Sequence, residues 1–128
     1  MIVRTLAEIT RGERDVSGPG WRSRRIVLAD DGMDHSLHYT EIDAGAEITL
    51  WYKHHFESNL CVAGEGEVVD LATGTTHPIA PGTLYALDRH DRHVLRARTP
   101  LTLVCVFTPA LSGHETHDAD GSYEPRDA

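Results

Sequence analysis

Residues 56–93 read FESNLCVAGEGEVVDLATGTTHPIAPGTLYALDRHDRH. Four short runs in this stretch have strand character, at 57–62, 66–71, 83–88 and 92–96. They are rich in β-branched and large apolar residues and are broken by Gly64-Glu65-Gly66, Thr73-Gly74 and Pro81-Gly82, which favour turns. The same rhythm extends outward in both directions. Runs at 21–28, 36–42, 47–52 and 101–107 are separated by Asp31-Gly32, Ala44-Gly45 and Thr99-Pro100. Many short strands at such spacing predict an all-β single domain, a sandwich or barrel. Only 6–13 reads as helix, of one or two turns. After Thr108 neither the strand period nor the helix period continues, which divides the chain into a barrel at 1–108 and a loop-like segment at 109–128. That segment is either a frayed terminus or a lid over a bound molecule.

The 128 residues suit one domain, and 40% hydrophobic content is enough to bury a core. A formal net charge of -8 argues against nucleic-acid binding, which needs a clustered basic surface. The one dense basic group is Arg22, Arg24 and Arg25, read as ion-paired or as a phosphate site. The opening MIVRTLAEIT is broken by Arg4 and Glu8 and does not read as a signal peptide. No run is long enough for a membrane helix. Cys61 and Cys105 lie in apolar strands, where buried reduced thiols are expected. A soluble cytoplasmic protein is the expectation.

Side chains alternate faces along a strand, so parity sorts them. Trp21, Ser23 and Arg25 share a face, as do Glu57, Asn59 and Cys61, then Tyr85 and Leu87, then Leu103, Cys105 and Phe107. Several of these sets hold one polar residue among apolar ones. That pattern suits a mostly apolar pocket with a few fixed polar groups. His54 and His55 are adjacent, so at most one enters the barrel. His35, His77, His90 and His114 read as surface, and His38 is open to either face.

Two spacings match the cupin barrels, which usually hold one metal. Glu57, six residues and Gly64 match the end of their first motif. Gly82 and His93 keep the ends of the second, with its proline and inner glycine replaced. The His-x-His pair that normally precedes the glutamate is missing, since that stretch is Leu50-Trp51-Tyr52-Lys53. Glu57 and His93 therefore need a third ligand. Tyr85 is the best placed, with a hydrogen-bonded core tyrosine as the other reading. Two oxygens and one nitrogen suit iron(II) or a similar divalent ion.

Longer strings carry a closer resemblance: DVSGPGWRSRRIVLADDGM, WYKHH, LYALDRHDRH, LVCVFTPALSG and HETHDADGSY, covering Met1 to about Tyr123. By these the chain resembles the ectoine synthases. Phe56, Ser58 and Asn59 depart from that family's pattern. The resemblance implies a cytoplasmic homodimer of cupin barrels, with iron held by Glu57, Tyr85 and His93. It implies cyclisation of N-gamma-acetyl-L-2,4-diaminobutyrate to ectoine, a compatible solute of osmotic stress, with loss of water and no net oxidation. Residues matching the substrate pocket are Trp21, Arg25, Thr40, Tyr52, His55, Cys105 and Phe107. Glu115 and His117 place the carboxy-terminal segment over the site, and with His55 they are the candidate acid and base. The rival readings are an iron dioxygenase, a ligand-binding cupin without turnover, and a barrel with no site.

Overall fold

The structure, a computed structural model, describes residues 1–125, so the end of the expected 109–128 segment, 126–128, lies outside the described residues. One helical turn, α1 (Leu6–Ile9), is capped at its start by Thr5 and Glu8, whose side chains each take the other's backbone N–H. Ten strands follow. These are β1 (Asp15–Gly18), β2 (Trp21–Val27), β3 (Ser36–Ile42), β4 (Glu47–Leu50), β5 (Phe56–Ala63), β6 (Gly66–Asp70), β7 (Thr75–Ile79), β8 (Leu84–Leu87), β9 (His93–Ala97) and β10 (Leu101–Thr108). They form a six-stranded sheet, β1-β2-β3-β10-β5-β8, and a four-stranded sheet, β4-β9-β6-β7. All paired strands are antiparallel. The two sheets bury one shared core, which draws Leu103 and Phe107 from the larger sheet and Val68 and Leu95 from the smaller. The fold is the expected all-β one, built as two facing sheets and not as a single closed one.

Strand parity holds on every run where it was applied. In β5 the odd positions 57–61 are buried and their even neighbours exposed, and β2 buries its odd positions 21–25 and β10 its odd positions 101–107. Two strands were not expected, β1 and β7, and both are sheet edges. An edge strand has a partner on one side only and need not alternate. β7 (TTHPI) buries Ile79 alone and carries Pro78, tolerable where one row of N–H groups faces away from the sheet. The expected strand 47–52 stops at Leu50, because Trp51 donates its N–H to Gly121 and leaves the ladder.

Gly64 shows why the β5–β6 turn needs glycine. Its φ is +85°, and a Cβ there would lie 1.9 Å from the Pro100 carbonyl oxygen. This contact lets the β9–β10 connection press onto the turn, with the Thr99 N–H donated to the Glu65 carbonyl and the Glu65 N–H to the Thr99 hydroxyl.

The arginines of β2 divide as the strand's two faces require. Arg22 is paired with Asp15 at 2.6 Å and Arg24 with Glu41 at 2.7 Å, while Arg25 points inward and is fully buried. Arg4 and Arg14 both reach Asp31 and tie the amino-terminal segment to β2.

Candidate active site

Register lines up the inward side chains in rows across the larger sheet. One row runs Arg25, His38, Cys105, Asn59, Tyr85 from β2 to β8. Beside it lie Ser36, Phe107, Glu57 and Leu87 on one side, and Ser23, Thr40, Leu103 and Cys61 on the other. A cavity opens over these rows between the sheets. Trp21, Thr40, Tyr52, Glu57, Tyr85, Cys105, Phe107 and His117 line it, together with Ser23, Asn59, Tyr123 and aliphatic side chains from both sheets. The sequence-predicted residues outside that lining are Arg25, His55, His93 and Glu115. His93, on β9, borders a second cavity whose wall it shares with Tyr85, their ring centroids 6.4 Å apart.

Three features of Glu57, Tyr85 and His93 fit a divalent cation. The His93 Nδ1 is 2.9 Å from the Asp91 carbonyl, which makes it the N–H and leaves the Nε2 lone pair buried with no partner. Burial pushes the Glu57 carboxyl up to about 8. Burial, then the charge of Glu57, pushes the Tyr85 phenol well up. A buried carboxyl and a half-buried phenol whose anions lack a cation, beside one free imidazole nitrogen, are the donors such an ion would satisfy. Among the described residues, no group of three or more His, Cys, Asp or Glu side chains is placed to hold a metal ion, so an ion here would have to draw on the phenol as well.

Arg25 is spent on the chain itself. Its Nη1 donates to the Gly113 carbonyl at 2.9 Å and its Nη2 to the Glu115 carbonyl at 2.7 Å. Glu115 is likewise engaged. Burial pushes its carboxyl up, but donations from the Ser112 and Gly113 amides and the Ser112 hydroxyl outweigh that and hold it below the ordinary range. The segment then brings His117 Nε2 to 2.9 Å from the Tyr52 hydroxyl and its ring to 5.1 Å from Trp21. Burial and then the charge of Arg25 depress His117 to about 4, so it is neutral at pH 7. His55 is buried with both ring nitrogens unpartnered while His54 is exposed, so one of the adjacent pair enters, from a loop and not from a strand.

Other histidines depart from expectation. His90 is not a plain surface residue. A φ of +52° turns its ring onto Phe56, 4.7 Å away, with Nδ1 2.9 Å from the Tyr52 carbonyl. His77 lies on the edge strand β7 and is exposed, as expected. His35 is half-buried, with Nδ1 at the Met33 carbonyl, while His114 is exposed as expected. His38 faces inward between the hydroxyls of Ser23 and Ser36, at 3.2 and 2.9 Å, and burial lowers it to about 3.

A family model described as ectoine synthase matches residues 1–127. The chain belongs to the ectoine synthase family. It is 56% identical to L-ectoine synthase of Desulfosudis oleivorans, over 97% of each chain. It is 50% identical to that of Hyphomonas neptunium, over 100% of this chain and 96% of the relative. The crystal structure of ectoine synthase from P. lautus superposes with a TM-score of 0.89 at 48% identity, covering 100% of this chain and 91% of that one. A cupin 2 conserved barrel domain protein from Salinispora arenicola, 17% identical over 84% of this chain and 88% of its own, has a TM-score of 0.68 and supports the cupin fold alone. As a member of the ectoine synthase family the chain is an enzyme, and the lyase class fits a reaction that closes a ring with loss of water. Among the described residues, no helix is long and apolar enough to cross a membrane.

Buried neutral histidines predict the family member's response to acid. His38 and His117 stay neutral when folded but take up protons when unfolded below about pH 6.5. The unfolded state then binds more protons, so stability falls as pH drops through 6.5 towards 4 and 3. At pH 5 the two together are expected to cost roughly 4 kcal/mol relative to pH 7. Glu57, raised to about 8, holds its proton in the folded state over the same range and offsets part of that cost. Urea midpoints at the two pH values in the unaltered protein and in His38→Gln check the histidine contribution, and His38→Gln should remove about half of it. The same pH dependence in both proteins would sink it.

Proposed function

We propose that this chain is an L-ectoine synthase that cyclises N-gamma-acetyl-L-2,4-diaminobutyrate with loss of water. One observation supports the reading above the rest: the family's pocket residues Trp21, Thr40, Tyr52, Cys105 and Phe107 meet Glu57, Tyr85 and His117 around one largely apolar cavity. Glu57, Tyr85 and His93 would hold iron(II). When bound, it would supply Lewis acidity toward the amide carbonyl oxygen, with no change of oxidation state.

The reaction joins the substrate's free α-amino group to its own acetyl-amide carbonyl carbon, and the adduct expels water to leave a cyclic amidine. An extended chain must fold back for this, and the walls of Trp21, Tyr52 and Phe107 favour the compact conformer. The amine must lose a proton to attack. His117 lines the cavity with a neutral ring, which places it to take up that proton and later return one to the departing hydroxyl. Glu115 and His55 stand behind it. The carboxylate of Glu115 organises the turn at 112–115, and His55 offers free ring nitrogens in a dry setting. Arg25 acts by anchoring the 113–115 backbone, and its Nε carries no partner. Residues 109–125 form the lid. Excluding water favours dehydration over hydrolysis of the same bond.

The enzyme would act in the cytoplasm as a homodimer. The outer face of β5 and the edge strand β8 exposes Phe56, Leu60, Val62 and Leu84, an apolar surface suited to a second copy. Sedimentation of the purified protein at a monomer mass would remove the dimer.

The deciding experiment supplies the substrate to metal-free protein with added iron(II) or with a chelator and follows the product by NMR. Iron-dependent appearance of the cyclic amidine is expected. Absence of product from folded protein under every metal would overturn the reading in favour of a ligand-binding cupin.

A further inference from the structure

The sequence motifs leave Gly121, Ser122 and Tyr123 without a role, yet they tie the carboxy-terminal segment to the chain that follows β4. The Trp51 N–H donates to the Gly121 carbonyl at 3.0 Å, and the Lys53 N–H to the Ser122 hydroxyl at 3.1 Å. Gly121 has φ +71°, and a Cβ there would lie 2.3 Å from the Thr49 carbonyl oxygen and 2.8 Å from the Leu50 Cα. No other residue fits against that backbone. Asp118 closes the turn from within, since its carboxylate accepts the N–H groups of Asp120 and Ser122. These bonds fix the residue that follows. Tyr123 is 4% exposed and lines the cavity. Its ring stacks on His117 at 4.6 Å and 16°, and on Tyr52 at 5.1 Å and 30°. It meets Phe107 edge-on at 5.5 Å, with the Arg25 guanidinium 5.7 Å from its centroid.

We propose that Tyr123 is a substrate-facing wall of the cavity and the residue that positions His117, and that Gly121 and Ser122 form the latch that seats it. The proposal rests on the synthase reading for its substrate, while the latch stands on geometry alone. A ring stacked on one side of an imidazole limits its rotation and keeps water from that face. The same ring, between Tyr52 and Phe107, sets how much room is left for the folded-back substrate. One glycine at the latch therefore bears on two side chains, Tyr123 two residues after it and His117, on which that ring stacks.

The test uses the full chain and three variants. Gly121→Ala unseats the latch, Tyr123→Ala removes the wall, and Tyr123→Phe keeps the ring. Kinetics on the acetylated diamino acid are expected to show KM raised at least tenfold in the first two, with most of that loss recovered in Tyr123→Phe. A merely structural defect lowers the active fraction, hence kcat, and leaves KM in place. Amide hydrogen exchange on the ligand-free protein gives a second readout. In Gly121→Ala the Trp51 and Lys53 amides should exchange at least tenfold faster while β10 is unchanged. Unaltered exchange there would overturn the latch, and an unaltered KM in Tyr123→Ala would overturn the wall. If the unaltered protein made no product, the synthase reading would fail instead, and exchange would still decide the latch.

Discussion

Glu57→Ala and His93→Ala are each expected to lose iron and product formation together, with turnover down at least a thousandfold. The Glu57 carboxyl is held protonated up to about pH 8 by desolvation, and its anion is stable only next to a cation. The His93 Nε2 is buried with nothing to accept from. Removing Glu57 leaves a single anion against a dication, and removing His93 leaves two oxygen donors with no nitrogen to complete the set. A thousandfold loss corresponds to about 4 kcal/mol of barrier, within what Lewis acidity is expected to supply. The check is iron content per chain beside the NMR assay on the same preparation. A Glu57→Ala protein that kept full iron and full turnover would place the metal elsewhere. An intermediate result is informative too. His93→Ala with iron retained but activity lost would mean that Glu57 and Tyr85 bind the ion while His93 sets its reactivity.

The second large effect is expected at Arg25. It is fully buried, donates to the Gly113 and Glu115 carbonyls, and lies 3.9 Å from the Glu115 carboxylate. Arg25→Met would strand two carbonyls and remove the nearest cation from a half-buried carboxylate. We expect a stability loss of about 3 kcal/mol and a fall in kcat/KM of at least a hundredfold. Arg25→Lys should not restore either. An ammonium on a flexible stem cannot span both carbonyls as the planar fork does. Denaturant unfolding and kinetics read the two effects separately. Wild-type stability and activity in Arg25→Lys would show that the fork is dispensable.

Parity made much of this site legible before any fold was known. It put Glu57, Asn59 and Cys61 on one face, and Leu103, Cys105 and Phe107 on one face, because a two-residue period needs no knowledge of partners. β3 shows its limit. Its sequence SLHYTEI offers Leu37 and Tyr39 in one phase and Ser36, His38 and Thr40 in the other. The more apolar-looking phase faces out and the polar phase faces in. Hydrophobicity alone would have inverted this strand, and His38 could not be placed until its two serine partners were known. Tyr123 escaped for another reason. It lies in irregular backbone, where no period assigns a face, and only the fit of Gly121 against Thr49 directs it inward. Arg25 was legible as buried by parity, but its partners at 113 and 115 are some ninety residues away and no local pattern points to them. The edge strands β1 and β7 were hidden because neither shows a buried phase: β7 buries Ile79 alone and β1 buries no residue fully.

The rows across the larger sheet also decide which changes of chain length the enzyme tolerates. Each row takes one residue from each strand, so deleting a single residue inside β10 would replace Cys105 and Phe107 at the cavity by their outward neighbours Val104 and Val106 or Thr108. The cavity would lose its thiol and an aromatic wall at once, while every backbone hydrogen bond of the strand could still form. The folded shape would survive and the chemistry would not. Insertions and deletions among working relatives should therefore collect in the turns, such as the one at Thr73-Gly74, where nothing is handed from strand to strand.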